Sequence, residues 1–516
     1  MSGFDNQLTG LPYELVWTQA EDREADRAYY EAWGNDIAQF LKRRRLALTA
    51  YADACDAQGL VMDDVAYEAC ESLCVQMEAR LKALRVRIKG DVLQGLAYYR
   101  HVSELERAYQ VLVRLKFAVV EMMTWASPVY AQSGVAVAAL PLRGESMEER
   151  MLNRPASPEM QAWGAQLKQV LGVGEGYGLI GTASGTAAFT LVFQALMQAR
   201  LTAGFKVYVP RVVIGGNDLQ VDEGSLLYSV VCEDSTDEEV IAARAVALQA
   251  DVVLLEGMRD TEMSPMLDLL KLVGILNSTQ LEKDMYLLVD DTLLGGAYVV
   301  AEHVTNPRVK VYQYTNAIKY LQLGLDLWPA GTVVVAKAEE DFFRKWASLL
   351  GLGLRDTVAA AYPTFDREQY VWRQRRQTRN ACVMAQILEK RFGQTGLKVF
   401  YPLLEGHPQF EKALKLPFVG ALVTLDVSAV AGQVSRKNMK PLMVILDKLL
   451  GQAQRQGLSI AASESFGLGT PRVTVNWCKR TKPYIRISVG DRSMEETLAI
   501  ANLIADELLR LVGGRA

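Results

Sequence analysis

Four short stretches hold side chains whose types and spacing could do chemistry. Residues 181–189, GTASGTAAF, place small residues and hydroxyls ahead of a helical run. The N–H groups and dipole at a helix start favour a phosphate, which makes Ser184, Gly185 and Thr186 candidate ligands. The same small residues also suit close helix–sheet packing. Asp290 ends the apolar run MYLLVD, and carboxylates at the carboxyl ends of parallel strands face the ligand crevice. Its neighbour Asp291 is the better candidate for capping the next turn. Lys319 follows the strand-like RVKVYQYT and precedes an apolar stretch broken by Pro329 and Gly331. Arg486 sits inside YIRISVG. A phosphate cradle, a strand-end carboxylate and a strand-end lysine, in that order, are the set that pyridoxal phosphate requires. They would bind its phosphate, keep its ring nitrogen protonated and hold it as a Schiff base. Burial lowers an amine's pKa, so such a lysine can act as nucleophile and then as proton shuttle. Without the other features, a lysine snorkelling from a core edge would be the simpler explanation.

These residues must be positioned by elements of two kinds. From about residue 165 short β-rich runs alternate with helical ones: KVYVP (206–210), DVVLLEG (251–257), MYLLVD (285–290), KVYQYT (310–315) and GTVVVA (331–336). That alternation predicts a mostly parallel sheet covered on both faces. Residues 367–392 predict one long linking helix, followed by strands in PFVGALVTLDV, RVTVNWC and YIRISVG and a closing helix from Ser493 to about Val512. Residues from about 15 to 125 predict helices. Leu73, Met77, Leu81, Leu84 and Ile88 recur at one-face spacing, as do Leu105, Leu112, Leu115 and Val119. SELE (103–106) has the pattern of a capping box. The KRRR run at 42–45 reads as a solvated helix face, with phosphate contact as the alternative. The expected organisation is a helical N-terminal extension (1–150), a large α/β domain (151–375) and a smaller α+β domain (376–516).

Composition excludes several classes. The chain has 516 residues, half of them hydrophobic, enough for two or three domains. Net charge is −4 with both signs interspersed, so no basic field points to nucleic acid. No apolar run reaches the ~18 residues of a membrane helix, and MSGFDNQLTG lacks the order of a signal peptide. The six cysteines are scattered, with Cys70 and Cys74 the only close pair, which favours free thiols and a cytoplasmic location. The three histidines, His101, His303 and His407, lie at no metal-ligand spacing to a cysteine.

The motifs together resemble those of the pyridoxal-phosphate enzymes of cysteine and methionine metabolism, the family of cystathionine γ-synthase, the cystathionine lyases and methionine γ-lyase. The resemblance runs over roughly residues 150–516, through NRPASPE (153–159), TASGTAA (182–188), VDDT (289–292), IKYLQLGLDLWPAG (318–331), EGHPQF (405–410) and YIRISVG (484–490). It implies an α/β fold of type I among pyridoxal-phosphate-dependent transferases, with a smaller α+β C-terminal domain. It implies Lys319 as the Schiff-base lysine, Asp290 as partner of the ring nitrogen, and Gly185 and Thr186 as phosphate ligands. Arg154 would reach the phosphate of a neighbouring subunit, giving a homodimer or homotetramer. Arg486 would hold the substrate α-carboxylate, with Ser463 or Ser465 beside it.

Departures from the family pattern bear on substrate. Asn316 and Ile318 stand where the family has phosphate-binding Ser and Thr; Asn316 can still donate a hydrogen bond and Ile318 cannot. Leu152 replaces a tyrosine, and Asp260 replaces the asparagine near the cofactor's ring oxygen. The tyrosine that stacks on the ring and protonates leaving groups aligns with Ile214. A sulfonium leaves as a neutral thioether and needs no proton. The chain therefore also resembles a branch that uses S-adenosylmethionine for γ-replacement, with annulation onto a nicotinamide dinucleotide in alkaloid biosynthesis. In that reading the helical N-terminal region shapes a co-substrate site, and the basic face WRQRRQTR (372–379) meets phosphates. A conventional transsulfuration enzyme or C–S lyase, with Tyr177 or Tyr314 as replacement acid, is one alternative. A degenerate homologue serving as an assembly protein is another.

Overall fold

The strands of the larger sheet are apolar on both sides, and the fold uses both. In a strand successive side chains point to opposite faces. Thus Met285, Leu287 and Val289 join the main core of the chain, while Tyr286 and Leu288 join a smaller core on the opposite face. The same division holds for Val253 and Leu255 against Val252 and Leu254. The computed structural model describes residues 19–58, 64–90, 96–122, 157–210, 227–431, 438–463, 466, 469–476 and 483–513.

Seven strands form this sheet: β1 (Tyr177–Thr182), β2 (Phe205–Val209), β3 (Tyr228–Cys232), β4 (Val252–Glu256), β5 (Met285–Asp290), β6 (Val309–Asn316) and β7 (Gly331–Ala336), in spatial order β1-β7-β6-β5-β4-β2-β3. The β3-β2-β4-β5-β6 portion is parallel, and β7 runs antiparallel to β6 and β1. The five strand runs expected from the sequence are β2, β4, β5, β6 and β7; β1 and β3 were not anticipated. A second sheet holds β8 (Lys398–Phe400), β9 (Leu422–Asp426), β10 (Ala461–Ala462), β11 (Arg472–Asn476) and β12 (Tyr484–Ser488), in order β10-β11-β12-β9-β8. The linking helix Arg367–Phe392 joins the two, held at its start by a capping box between Asp366 and Gln369. The closing helix Met494–Gly513 packs along it.

Three long helices, α1 (Gln19–Gln58), α2 (Asp64–Lys89) and α3 (Leu96–Met122), precede the sheets. Their expected stripes face inward: Met77, Leu81, Leu84, Ile88, Leu105, Leu112 and Val119 are buried. SELE is not a helix start. Ser103 lies inside α3 and donates to Ser459 Oγ at 2.9 Å. No helix among the described residues is long and apolar enough to cross a membrane.

The basic face of the linking helix is not exposed for phosphates, as the sequence reading allowed. Arg373, Arg376 and Arg379 are at most 1 % exposed, and each meets a carboxylate. Arg379 Nη1 donates to Asp22 Oδ1 at 3.0 Å, Arg376 Nη1 to Asp26 Oδ1 at 2.6 Å, and Arg373 Nε to Asp491 Oδ2 at 2.7 Å. Two of the three carboxylates belong to α1, so the pairs dock the helical region on the linking helix. Removing one member of a buried pair leaves the other charge uncompensated, at a cost of about 3–5 kcal/mol. Asp22→Ala is therefore expected to lower unfolding free energy by that order in denaturant titration, whereas Asp53→Ala on the same helix should change little. Equal stability of Asp22→Ala and the parent would show that the pairs do not hold the helices.

Candidate functional site

The site is assembled where the parallel strands end. Helix α4 (Pro158–Leu171) leads into β1, and β1 into α5 (Gly185–Ala199). Ser184 is the N-cap of α5, its Oγ accepting from Ala187 N at 3.0 Å. The first N–H groups of a helix have no intrahelical acceptor, and Gly185 and Thr186 supply them here. Gly185 must be glycine: a Cβ there would stand 2.5 Å from Asn316 Cβ. A Cβ on Gly331, the first residue of β7, would likewise clash with the Ser184 carbonyl oxygen. The start of α5, the end of β6 and the start of β7 thus touch one another.

From this junction the chain turns into Lys319. Asn316 N donates to Thr292 Oγ1 at 2.9 Å, and Thr292 N donates to Asp290 Oδ1 at 2.9 Å. The Asn316 carboxamide oxygen accepts from Ile318 N at 3.3 Å. These bonds link Asp290, Asn316 and the turn that carries Lys319. Beyond the lysine, Gln322 is fully buried; its Oε1 accepts from Leu327 N and Trp328 N, and its Nε2 donates to the Trp328 carbonyl. Leu323 and Asp326 have positive φ, 52° and 50°, so the loop is a fixed shape. Tyr29 of α1 donates to the Leu323 carbonyl at 2.8 Å, and Tyr362 to the Leu321 carbonyl at 2.7 Å.

The second sheet supplies the opposite wall. Ile485 and Ile487 of β12 face the core, and Arg486 faces the other way. Lys319 Nζ lies 4.6 Å from the centre of the Phe466 ring, and Arg486 Cζ lies 5.6 Å from the same centre. Arg486 forms an ion pair with Asp260, on the loop after β4, and the Tyr484 hydroxyl donates to the Asp260 carbonyl at 2.8 Å. Asp260, expected near a cofactor ring oxygen, stands against the arginine.

Of the candidate residues, Ser184, Gly185, Thr186, Asp290, Asn316, Lys319, Asp260 and Arg486 are connected through these contacts. Ser463 follows β10 and is half-buried. Arg154, Ile214 and Ser465 lie outside the described residues. The two candidate replacement acids are not suited to that role. Tyr177 begins β1, at the far end from Ser184, and donates to the Ala301 carbonyl at 2.7 Å. Tyr314 is buried against Phe189 in the smaller core, and burial pushes its hydroxyl well above the ordinary tyrosine range. The sequence reading missed Phe466 and Tyr484. Tyr484 shares the face of Arg486 two residues on, a period-2 signal; Phe466 has no such signal.

Both aspartates cap the turn after β5, Asp290 through Thr292 N and Asp291 through Gly296 N. Asp291 Oδ2 accepts from Gly296 N at 2.8 Å and from Gln313 Nε2 at 2.9 Å. Burial pushes its carboxyl up to about 7, against the pull of those two bonds. A carboxyl that ionises near 7 when folded and near ~4 when unfolded binds its proton more tightly in the fold. Its stabilising contribution is complete below pH ~4 and is lost as pH rises towards about 7. Replacing Asp291 with Asn should remove this dependence. Parent minus variant unfolding free energy is expected to fall by on the order of 2–4 kcal/mol between pH ~4 and ~7; a flat difference would rule out the buried, proton-binding carboxyl.

The fold described here occurs in known structures. Cystathionine γ-synthase of Xanthomonas oryzae pv. oryzae, solved in complex with cystathionine, superposes with a TM-score of 0.54 at 20% identity, over 72% of this chain and 90% of that one. MetB of Corynebacterium glutamicum gives 0.55 at 17% identity, over 74% and 93%. The chain thus has the α/β fold of type I among pyridoxal-phosphate-dependent transferases, as its motifs implied. A curated relative, the Bifunctional enzyme flvA of Aspergillus flavus, is 26% identical over 407 residues, which is 78% of this chain. The chain spans about half (48%) of that relative's length. No family model matches the sequence.

Proposed function

We propose that the chain is a pyridoxal-phosphate-dependent enzyme acting at the γ-carbon of an amino acid, with a sulfonium such as S-adenosylmethionine as its substrate and a second, nucleophilic co-substrate. The observation that carries the cofactor reading is the junction of α5, β6 and β7, where hydrogen bonds tie Asp290 to the Lys319 turn and the helix start packs closely against Asn316. The residues present fit the cofactor. With no Cβ on Gly185, the helix start comes close to Asn316, so that both could contact one phosphate. Asn316 spends its carboxamide oxygen on Ile318 N, which leaves its amino group to donate to that phosphate. Asp290 can hold a pyridine nitrogen in its protonated form. When bound, the cofactor supplies an electron sink joined to the substrate's Cα. The Lys319 amine would carry it covalently, and once displaced by substrate would move the protons at Cα and Cβ. Arg486 would orient the α-carboxylate.

What leaves the γ-carbon depends on available protons. A thiolate or carboxylate expelled into a desolvated pocket needs its charge neutralised, whereas a sulfonium leaves neutral. The aromatic ring beside Lys319 is Phe466, which has no proton to give. Tyr177 donates to the Ala301 carbonyl, the Tyr314 ring packs in the smaller core, and the Tyr484 hydroxyl is engaged with Asp260. This supports the sulfonium over cystathionine or O-acetyl-homoserine. The resemblance adds a nicotinamide dinucleotide as a co-substrate class. A co-substrate on the side of α1 would meet the loop that Tyr29 holds, and not the paired arginines of the linking helix. Arg154 would complete a phosphate site across a homodimer interface.

Two measurements test this reading. Borohydride treatment of the loaded protein followed by peptide mapping is expected to place the cofactor on Lys319, and a label on another lysine would reject the assignment. In side-by-side mass-spectrometric assays, S-adenosylmethionine should turn over faster than cystathionine or O-acetyl-homoserine, with methylthioadenosine as a product. The reverse order would point to a conventional transsulfuration enzyme.

A further inference from the structure

Arg486 already holds a carboxylate, that of Asp260. The side chains are 5% and 16% exposed, so neither ion is well hydrated. The backbone of Asp260 cannot retreat. Met258 and Met266 bridge across the base of its loop, Arg259 N donates to the Pro265 carbonyl at 3.1 Å, and Tyr484 holds the Asp260 carbonyl. Only the Asp260 side chain can turn. Its Oδ1 has one further partner, the Tyr484 hydroxyl at 3.2 Å, and its neighbour Arg259 is paired with Glu256 at 3.7 Å.

A substrate α-carboxylate that takes Arg486 must therefore displace a partly buried anion that stays within side-chain reach. That anion then has a neutral hydroxyl as its partner, and a buried charge left without a counter-ion is costly. A substrate whose side chain is neutral leaves this cost standing. One that carries a positive centre beyond Cβ removes it.

Resting on the proposed reaction, we infer that Asp260 is a charge-selecting residue. It occupies Arg486 until an amino-acid carboxylate arrives, and then becomes the counter-ion of a cationic centre in the substrate side chain. The site thus favours amino acids with a cationic side chain, such as a sulfonium, over their neutral counterparts. The α-amino group is common to both kinds and does not contribute to the difference.

Two matched pairs isolate the charge: S-methylmethionine against methionine, and S-adenosylmethionine against S-adenosylhomocysteine. Dissociation constants are measured by calorimetry on cofactor-loaded Lys319→Ala protein, which lacks the proton-moving amine, with and without Asp260→Asn. With Asp260 present the sulfonium of each pair should bind at least about tenfold more tightly, a difference of about 1.4 kcal/mol. In Asp260→Asn the preference should fall to within about twofold, because the thioethers bind better once no Asp–Arg pair must be broken. A preference that survives Asp260→Asn overturns the inference and leaves the proposed reaction standing. If neither S-adenosyl ligand binds but the methionine pair shows the Asp260-dependent preference, the inference stands and S-adenosylmethionine fails as substrate. Asp260→Glu keeps the charge and should retain the preference; its loss there together with normal thermal stability would also overturn the assignment.

Discussion

An arginine buried in a helix must be given a carboxylate, and this demand organises the molecule. Arg373, Arg376 and Arg379 are three residues apart, so they share one face of the linking helix. Asp491 lies just after β12, while Asp22 and Asp26 come from the first turns of α1. Pairing them brings together segments more than 300 residues apart in the chain. Arg492 adds a fourth tie, to Glu106 of α3. Once α1 is fixed in this way, Tyr29 falls against the loop that follows Lys319. Charge pairing in the scaffold thereby reaches the site through one rigid helix.

A second constraint is steric. Three backbone segments meet at the start of α5, and they can do so because Gly185 and Gly331 carry no Cβ. The alternation of β5 sends Tyr286 and Leu288 into the smaller core beneath α5, and Asp290 continues on that side of the sheet. The carboxylate, the helix start and the lysine turn are therefore neighbours by register and by the absence of two methyl groups, not by flexible loops.

Much of this was legible in the sequence. Five strand runs, the linking helix and the closing helix follow from unbroken apolar runs and helical spacing, which local sequence carries. β1 escaped because YGLIGT has two glycines and few β-branched residues, and β3 because YSVVC sets only two valines between Ser229 and Cys232; sheet neighbours decide both. SELE has the right letters for a helix start, yet hydrophobic spacing continues through it and α3 does not stop there. The face WRQRRQTR read as available to phosphates because its carboxylates lie far away in sequence. For the site, the order of Gly185, Asp290, Lys319 and Arg486 was readable from motifs. The Asp260–Arg486 pair and Phe466 depend on how the second sheet closes over the first, and no local pattern encodes that.

The two sets of buried ion pairs obey the same rule with different outcomes. Asp22 accepts from both Nη atoms of Arg379 and from Met494 N, and lies beside Arg376 Nε at 3.3 Å. Breaking any one of these contacts leaves the others, so the pair behaves as part of the core. Asp260 accepts from Arg486 and Tyr484 only, among the described residues, and no backbone N–H holds its carboxylate. An incoming carboxylate can replace it on the guanidinium one for one. The difference between a structural and an exchangeable ion pair is therefore set by how many donors converge on the anion, and in this chain the pair with fewer donors is the one whose arginine shares the Phe466 ring with Lys319.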